Sequence, residues 1–324
     1  MKNRNGSPCR AGVDSKKTMT EYNWTEKANL LFIVGCPRSG TTWLQAMIAS
    51  HPCVATGPET HFFEAIEGLV RFYEKERPRP DGLKEYLAPE EFYAELRNFF
   101  FRITSKIPAP EGNPKWFLEK TPQHVLYVDE IIRLFPEAYF IHLVRDPRNV
   151  VASILRAAKT WGKGWFPDSA MIAAQLWRRS VEEAHKIPQK IAEPHKFLEL
   201  KYEDLRSRPE QTLSKVFSWL RLDYTADFVR DIVERNKLDK IKSSGQFESV
   251  KFPQKKKAAE PQGFFGSGTT SKRSLSRLQK YQVELICAEL LKELGYEENL
   301  PSVPFWARVA CSWRLRQMLG LKPV

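Results

Sequence analysis

The chain has 324 residues, of which 42% are hydrophobic, and this is enough to form a full α/β core. No apolar run approaches the roughly 20 residues that a membrane-spanning helix needs. Its five cysteines are few and irregularly spaced, which argues against a disulfide framework or a zinc site and favours a reducing, cytoplasmic location. The formal net charge of +12 suits anionic ligands, and because the sequence has no reader motif for nucleic acid, we expect no nucleic-acid partner.

Residues 1–27 are polar and basic and lack the apolar centre of a secretory signal, so we predict a disordered N-terminal tail. Along residues 28–298 apolar runs alternate with helical patterns, which predicts one α/β domain with a mainly parallel central sheet and helices on both faces. The predicted strands are 30–35, 116–119, 138–144 and 196–200. The predicted helices are 42–50, 61–76, 89–101, 123–135, 149–158, 169–186, 209–220, 226–235 and 274–295.

Residues 299–324 are predicted to form a C-terminal helical extension. Within them, residues 305–319 combine tryptophan and aliphatic side chains with arginines, as in an amphipathic helix. We expect this helix to pack on the domain, and contact with a membrane surface is the alternative.

A glycine-bracketed loop follows the first predicted strand and reads Gly-Cys-Pro-Arg-Ser-Gly-Thr-Thr-Trp over residues 35–43. A strand that runs through such a loop into a helix presents several backbone N–H groups to a phosphate. The spacing is that of a P-loop, but Thr41 replaces the lysine that precedes the Ser/Thr of a Walker A loop. Because that lysine grips the phosphates of a nucleoside triphosphate, the pattern argues against ATP or GTP, and Arg38 supplies the positive charge instead.

A second candidate for phosphate binding follows the predicted strand 138–144. Asp146 with a proline after it indicates a helix start, so Arg145 lies at the carboxyl end of the strand and Ser153 two turns into the helix. A guanidinium grips a phosphate with two hydrogen bonds, and a hydroxyl adds a directed donor. Open α/β sheets bind ligands at the carboxyl ends of strands, so we expect both motifs to share one site. A pairing of Arg145 with Asp146 alone is the structural alternative.

Both motifs resemble those of the sulfotransferases that use 3′-phosphoadenosine 5′-phosphosulfate (PAPS). The donor-binding loop of that family typically reads Pro-Lys/Arg-Ser-Gly-Thr-Thr, often followed by Trp, and residues 37–43 match it at every position. The resemblance covers roughly residues 30–296 and implies a single P-loop-type domain. It also implies direct, in-line transfer of a sulfuryl group from PAPS to a hydroxyl or amine, with 3′-phosphoadenosine 5′-phosphate (PAP) as product. The acceptor is left open among small molecules, carbohydrates, lipids and peptides.

The resemblance also assigns donor-binding residues. In the family, an arginine and a serine at the separation of Arg145 and Ser153 bind the 3′-phosphate of the donor. Trp43 matches the tryptophan that stacks on the adenine in cytosolic members, and an ordinary core role is its alternative. Tyr202 matches a tyrosine that lies near the same base.

Residues 240–277 are rich in Lys, Gly and Ser and lack periodicity, which predicts a long loop of the kind that forms lids or is disordered. In the family, a loop late in the sequence folds over the 3′-phosphate of the donor with its basic residues. Lys272 and Arg273 occupy a corresponding place here, although the Arg-Lys-Gly pattern of cytosolic members is absent. The implied donor-binding residues are Arg38, Ser39, Gly40, Thr41, Thr42, Trp43, Arg145, Ser153, Tyr202, Lys272 and Arg273.

Two residues beyond the loop are candidates for the base that deprotonates the acceptor, Glu59 and His61. Glu59 follows Arg38 by the same interval as the glutamate base follows the loop arginine in tyrosylprotein sulfotransferases. Cytosolic small-molecule members use a histidine, but theirs arises later in the chain. We therefore favour Glu59 as the base, and a role in capping the next helix is its structural alternative.

Sulfuryl transfer also needs cations at the bridging oxygen and the sulfonate. Lys120 ends the predicted strand 116–119 and resembles the family lysine that reaches the bridging oxygen. The structural alternative is a surface lysine paired with Glu119. Because Arg38, Lys120 and Arg145 supply the positive charge, no metal is implied.

Two other functions fit parts of the pattern. A P-loop kinase would need a phosphate-gripping lysine, which the loop lacks, and a metal-binding acid. A non-catalytic anion-binding module would use the same residues without a base, and a substitution of Glu59 would separate it from an enzyme.

Overall fold

The computed structural model describes residues 28–75, 82–107, 114–237, 240 and 275–296. Several predicted parts of the chain lie outside these residues. They are the N-terminal tail, the loop 240–277 up to residue 274 except for residue 240, with Lys272 and Arg273 in it, and the C-terminal extension. The described residues group into two compact units, one within Met1–Val144 and Glu182–Glu260 and the other within Arg145–Val181 and Pro261–Val324. The predicted domain boundaries stay a prediction. Within the described ranges, no helix has the length and apolar character needed to span a bilayer.

The sheet of the first unit has five strands in the order β2-β3-β1-β4-β5, and every neighbouring pair is parallel. Because β2, β3 and β1 are neighbours, the segments that leave their carboxyl ends start side by side. The strands are β1 (Asn29–Val34), β2 (Val54–Thr56), β3 (Trp116–Glu119), β4 (Tyr139–Val144) and β5 (Phe197–Lys201).

The apolar sequence of β1 explains its central place. All its residues after Asn29 are buried, as expected for a parallel strand that is covered on both faces. On one face Phe32 stacks on Phe140 with ring centroids 5.8 Å apart, and it also contacts Phe63 and Phe100. This aromatic core fixes the strand from which the glycine-bracketed loop departs.

Helices cover the sheet of the first unit, and the second unit is helical in its described residues. The α-helices are α1 (Thr41–Ile48), α2 (Phe62–Glu74), α3 (Pro89–Thr104), α4 (Val128–Leu134), α5 (Pro147–Ala158), α6 (Ala170–Lys190), α7 (Tyr202–Ser207), α8 (Pro209–Trp219), α9 (Ala226–Arg235), α10 (Arg277–Ile286) and α11 (Ala288–Glu293). Short 3₁₀ helices lie at Leu83–Glu85, Pro122–Tyr127 and Pro194–Lys196.

The predicted fold class is confirmed, since helices flank a central parallel sheet. The four predicted strands agree with β1, β3, β4 and β5 to within one residue at each end. The prediction missed β2, because three residues are too few for a periodic pattern. The predicted helix 123–135 is a 3₁₀ helix followed by α4, and the predicted helix 274–295 is two helices that break at Cys287.

Candidate active site

The glycine-bracketed loop (residues 35–40) joins β1 to α1, and both of its glycines are sterically required. Gly35 has a φ of 149° and Gly40 a φ of 99°, values that L side chains rarely adopt. A Cβ on Gly35 would lie 2.7 Å from the carbonyl oxygen of Leu143, and one on Gly40 would lie 2.5 Å from the ring of Tyr202. The sequence therefore sets the backbone path of this loop through two positions.

Ser39 is a candidate for direct contact with a phosphate. Its side chain is 0% exposed, and among the residues that the structure describes its hydroxyl finds no hydrogen-bond partner. A buried hydroxyl without a partner costs about 1–3 kcal/mol. Directly after it, α1 begins with Gly40 as N-cap, where the first N–H groups lack intrahelical acceptors and carry partial positive charge. This combination suits an anionic oxygen such as that of a phosphate.

Arg38 and the two threonines complete the loop. Arg38 is half-buried and has a φ of 75°, a left-handed conformation that is uncommon for a residue other than glycine and is often found at functional sites. Thr41 is 3% exposed and is the first residue of α1. The Thr42 hydroxyl oxygen lies 3.1 Å from Lys120 Nζ, so α1 is joined to the end of β3 at this point.

Glu59, His61 and Lys120 come together at the ends of β2 and β3. The Lys120 ammonium, which is 3% exposed, forms an ion pair with Glu59 Oε1. His61 Nε2 lies 3.4 Å from Glu59 Oε2, and His61 Nδ1 lies 3.0 Å from Glu64 Oε2. The predicted base candidates and the predicted cation therefore form one cluster beside Thr42.

Glu59 and His61 have strongly shifted pKa values. Burial raises the pKa of Glu59, but Lys120 and His61 outweigh burial and lower it to about 2. The hydrogen bond to Glu59 raises the pKa of His61, against burial, to about 9. At neutral pH the carboxylate is therefore ionised and the imidazole protonated.

The pKa of His61 makes part of the stability depend on pH. A raised folded-state pKa gives stabilisation that is complete below pH 6.5 and is lost as the pH rises through 9. We expect His61→Gln to lower the free energy of unfolding by about 0.5–1 kcal/mol at pH 6, a small value because solvent screens a half-exposed ring, and to have no effect at pH 10. Urea unfolding at both pH values measures this difference. An equal effect at both values, or the same pH dependence in a Glu59→Gln background, would contradict it.

Both structural alternatives for these residues are wrong. Lys120 is buried and pairs with Glu59, whereas the Glu119 carboxylate lies 2.9 Å from His124 Nδ1. The N-cap of α2 is His61, so Glu59 lies before the cap position. Sequence reasoning also missed the residues behind this cluster, Glu119 and His124 with Thr60 and Thr121. The available signal was an acidic residue at the buried end of a strand, next to Lys120.

Trp43 and Tyr202 lie beside the loop in contact with each other. Their ring centroids are 6.0 Å apart in an edge-on arrangement, and both residues are 8% exposed. The Trp43 indole N–H donates to the carbonyl oxygen of Asn236 at 2.8 Å. Trp43 is therefore packed in the core, as its structural alternative predicts. Its stacking on an adenine stays a prediction. Tyr202 begins α7 directly after β5, and its ring packs against Gly40.

Arg145 and Ser153 belong to the second unit. Asp146 caps α5 by accepting from the backbone N–H of Arg148 at 2.8 Å, as the helix-start pattern predicts, and it forms an ion pair with the Arg148 guanidinium at 2.7 Å. The Trp177 indole N–H donates to the carbonyl oxygen of Arg145 at 2.9 Å. Arg145 and Ser153 are both half-buried, and their binding of a 3′-phosphate stays a prediction.

Among the described residues, one cluster has the ligand types of a metal site, His142, His185 and Glu199, with ligand atoms within 4.8 Å of one another. Glu199 Oε2 lies 2.9 Å from His142 Nδ1 and 2.9 Å from His185 Nε2. Although burial raises the pKa of Glu199, the two imidazoles hold it well below its usual range. Hydrogen bonds therefore account for the arrangement, and the prediction that no metal is needed stays a prediction.

Comparisons with known proteins identify similar chains. A family model described as the Sulfotransferase family matches residues 31–226. The protein-tyrosine sulfotransferase of Drosophila melanogaster is 30% identical over 202 residues, which cover 61% of this chain and 39% of that protein. The nodulation protein NoeE of Sinorhizobium fredii is 27% identical over 296 residues, which cover 84% of this chain and 67% of that protein. The matched part thus spans less than half of the Drosophila protein.

Two solved structures share the fold. The sulfotransferase domain from the curacin biosynthetic pathway has a TM-score of 0.50 and 19% identity, and the match covers 82% of this chain and 98% of that chain. Mouse sulfotransferase SULT7A1, solved in complex with PAP, has a TM-score of 0.50 and 15% identity, and the match covers 82% of this chain and 85% of that chain. At these identities the likeness concerns the fold.

Proposed function

The chain belongs to the sulfotransferase family, and we propose that it moves a sulfuryl group from PAPS to an acceptor hydroxyl or amine by direct in-line transfer, with release of PAP. The observation that carries this proposal is the contact between Glu59 and Lys120. It places an ionised carboxylate and a buried ammonium next to Thr42, at the start of the helix that follows the glycine-bracketed loop.

The loop residues fit the phosphate of a nucleotide donor. Among the described residues the buried Ser39 hydroxyl has no hydrogen-bond partner, and the N-terminus of α1 favours negative charge. We propose that residues 38–43 hold the 5′ side of PAPS, that Tyr202 lies near its base, and that Arg145 and Ser153 hold its 3′-phosphate. When bound, PAPS supplies the activated sulfuryl group.

Glu59 is proposed to accept the proton of the acceptor, and Lys120 to stabilise negative charge on the leaving phosphate. Because Lys120 lowers the pKa of Glu59, any contact that draws the ammonium away from Glu59 makes this carboxylate a stronger base. His61 contacts the second carboxylate oxygen of Glu59. We therefore propose that Lys120 couples charge at the loop with the basicity of Glu59.

Acceptor screening with radiolabelled PAPS tests the reaction itself. Because relatives of this chain are named protein-tyrosine sulfotransferases, we propose a tyrosyl peptide as the first acceptor to test, followed by carbohydrate, lipid and small-metabolite pools. Transfer of label to any of them supports the proposal, and failure to bind PAP would overturn it. A cytoplasmic location and membrane contact through residues 305–319 also stay proposals.

We expect the wild type to bind PAP more tightly than ATP. We also expect it to bind PAP more tightly than adenosine 5′-phosphate, which lacks the 3′-phosphate. That difference should be about 1.5–3 kcal/mol, the size of a charge-assisted hydrogen bond. Arg145→Ala should abolish the difference between PAP and adenosine 5′-phosphate. Arg230→Ala, which removes a surface guanidinium paired with Asp227, should retain it. Isothermal titration calorimetry measures these affinities. Equal affinity of the wild type for both nucleotides would contradict the role of Arg145 and Ser153, and loss of a cooperative melt in Arg145→Ala would make Arg145 structural.

A further inference from the structure

A buried carboxylate lies directly behind the Glu59 and Lys120 pair. Glu119 is the last residue of β3 and is 2% exposed. Its Oε1 accepts from the Thr60 hydroxyl at 2.9 Å, the Thr121 hydroxyl at 2.6 Å and the Thr60 backbone N–H at 3.3 Å. Its Oε2 lies 2.9 Å from His124 Nδ1. Both carboxylate oxygens are thus engaged by neighbours within the first unit.

These contacts join the two segments that carry the catalytic candidates. Thr121 donates its hydroxyl hydrogen to Glu119, and its oxygen accepts from the backbone N–H of Thr60 at 3.1 Å and of His61 at 3.4 Å. Thr60 follows Glu59 in the chain, and Glu119 precedes Lys120. Side-chain hydrogen bonds therefore tie the segment after β2 to the end of β3 on either side of the Glu59 and Lys120 contact.

The charge of Glu119 strengthens this connection. Burial raises the pKa of Glu119, but His124 and hydrogen bonds from Thr121 and Thr60 together hold it below the usual range. Hydrogen bonds to an ionised acceptor are shorter and stronger than neutral ones. Because burying a carboxylate costs free energy even when the carboxylate is hydrogen-bonded, the position of Glu119 points to a role in placing neighbouring groups.

We propose that Glu119 is a positioning residue that holds the segments carrying Glu59 and Lys120 together, so that both side chains lie where the transfer step needs them. This inference rests on the proposed sulfotransferase function. Glu119 acts through Thr60 and Thr121, and its own carboxylate has no part in the proton transfer. Since a misplacement of about 1 Å can lower a rate by about 10²-fold, loss of these hydrogen bonds should act on kcat.

Three variants separate geometry from charge. Glu119→Ala removes every contact of the carboxylate and should lower kcat by about 10²-fold, with the KM for PAPS unchanged within about twofold. Glu119→Gln keeps an acceptor oxygen for both threonines, and its amide N–H can donate to His124 Nδ1 when the imidazole carries its hydrogen on Nε2, so this variant should retain kcat within about tenfold. Thr121→Val preserves volume, removes only the hydroxyl, and should lower kcat even if Glu119→Ala does not fold.

Glu284→Ala, which removes a buried carboxylate of the second unit, is the control that loses stability without losing kcat.

A second measurement does not depend on activity. Carbon-13 NMR titration of the Glu59 carboxyl, assigned by its disappearance in Glu59→Gln, should show a pKa that moves up from about 2 in Glu119→Ala and Thr121→Val. If the wild type transfers no sulfuryl group but this shift occurs, the proposed function fails and the positioning role holds. If the Glu59 pKa stays the same in both variants, or if Glu119→Gln loses as much kcat as Glu119→Ala, the positioning role is overturned.

Discussion

Replacement of Glu59 with glutamine is expected to lower kcat by roughly 10²–10⁴-fold, the usual contribution of a general base. Glutamine keeps the size and part of the hydrogen-bonding capacity of the side chain, so the change isolates the loss of proton acceptance. The affinity for PAP should stay nearly the same, because Glu59 lies beyond the loop proposed to bind the nucleotide. Steady-state kinetics with an identified acceptor and calorimetry with PAP measure the two effects separately.

His61 provides the comparison for this result. His61→Ala removes the contact with the second oxygen of Glu59 but leaves the carboxylate and Lys120 in place, so it should lower kcat less than Glu59→Gln. Full activity of Glu59→Gln together with inactivity of His61→Ala would identify His61 as the base. Full activity of both variants would show that neither residue is the base.

Replacement of Lys120 with methionine is expected to lower kcat by roughly 10²–10³-fold, the scale of losing one preorganised charged group at a developing negative charge. Methionine preserves the length of the side chain in a position that is 3% exposed, so packing changes little. The pKa of Glu59 should rise from about 2 towards 4.5, because Lys120 is the largest of the contacts that lower it. Kinetics and NMR titration of Glu59 measure these effects.

Lys115→Met is the matched control for Lys120→Met. Lys115 is close in sequence, its side chain is 48% exposed, and its nearest carboxylate is Asp223 at 4.0 Å. The control should keep kcat and leave the Glu59 pKa unchanged. Wild-type kcat in Lys120→Met would contradict the role of this ammonium in charge stabilisation, even if the variant folds normally.

The sequence predicted the glycine-bracketed loop and the four longer strands because their physical signals are local. Parallel strands that are covered on both faces read as continuous apolar runs, and Gly35 and Gly40 occupy positions where a Cβ would clash. The contact of Glu59 with Lys120 depends instead on the pairing of β2 with β3. Since β2 has only three residues, its pattern could not reveal which strand the segment with Glu59 adjoins.

The pairing of Lys120 with Glu119 could have been rejected from geometry. Successive side chains of a strand point to opposite faces of the sheet, so neighbours at the end of β3 are poorly placed to form an ion pair. The structure agrees, since Glu119 meets His124 and Lys120 meets Glu59. The partner of a buried carboxylate still required the fold, because Thr60 approaches Glu119 only through the neighbouring strand β2.

The parallel order β2-β3-β1 has a consequence for how the site forms during folding. Parallel neighbours need crossover connections, and partners such as Asn29 and Trp116 are far apart in the chain. Such non-local pairings slow folding, because the entropy of loop closure is lost before the contacts form. A fragment with the glycine-bracketed loop and α1 would carry the elements proposed to bind a phosphate, but Glu59, the proposed base, and the Lys120 ammonium reach them only after β2 and β3 have docked. We therefore expect that grafting this loop onto another scaffold would transfer the proposed anion binding without the proposed catalysis.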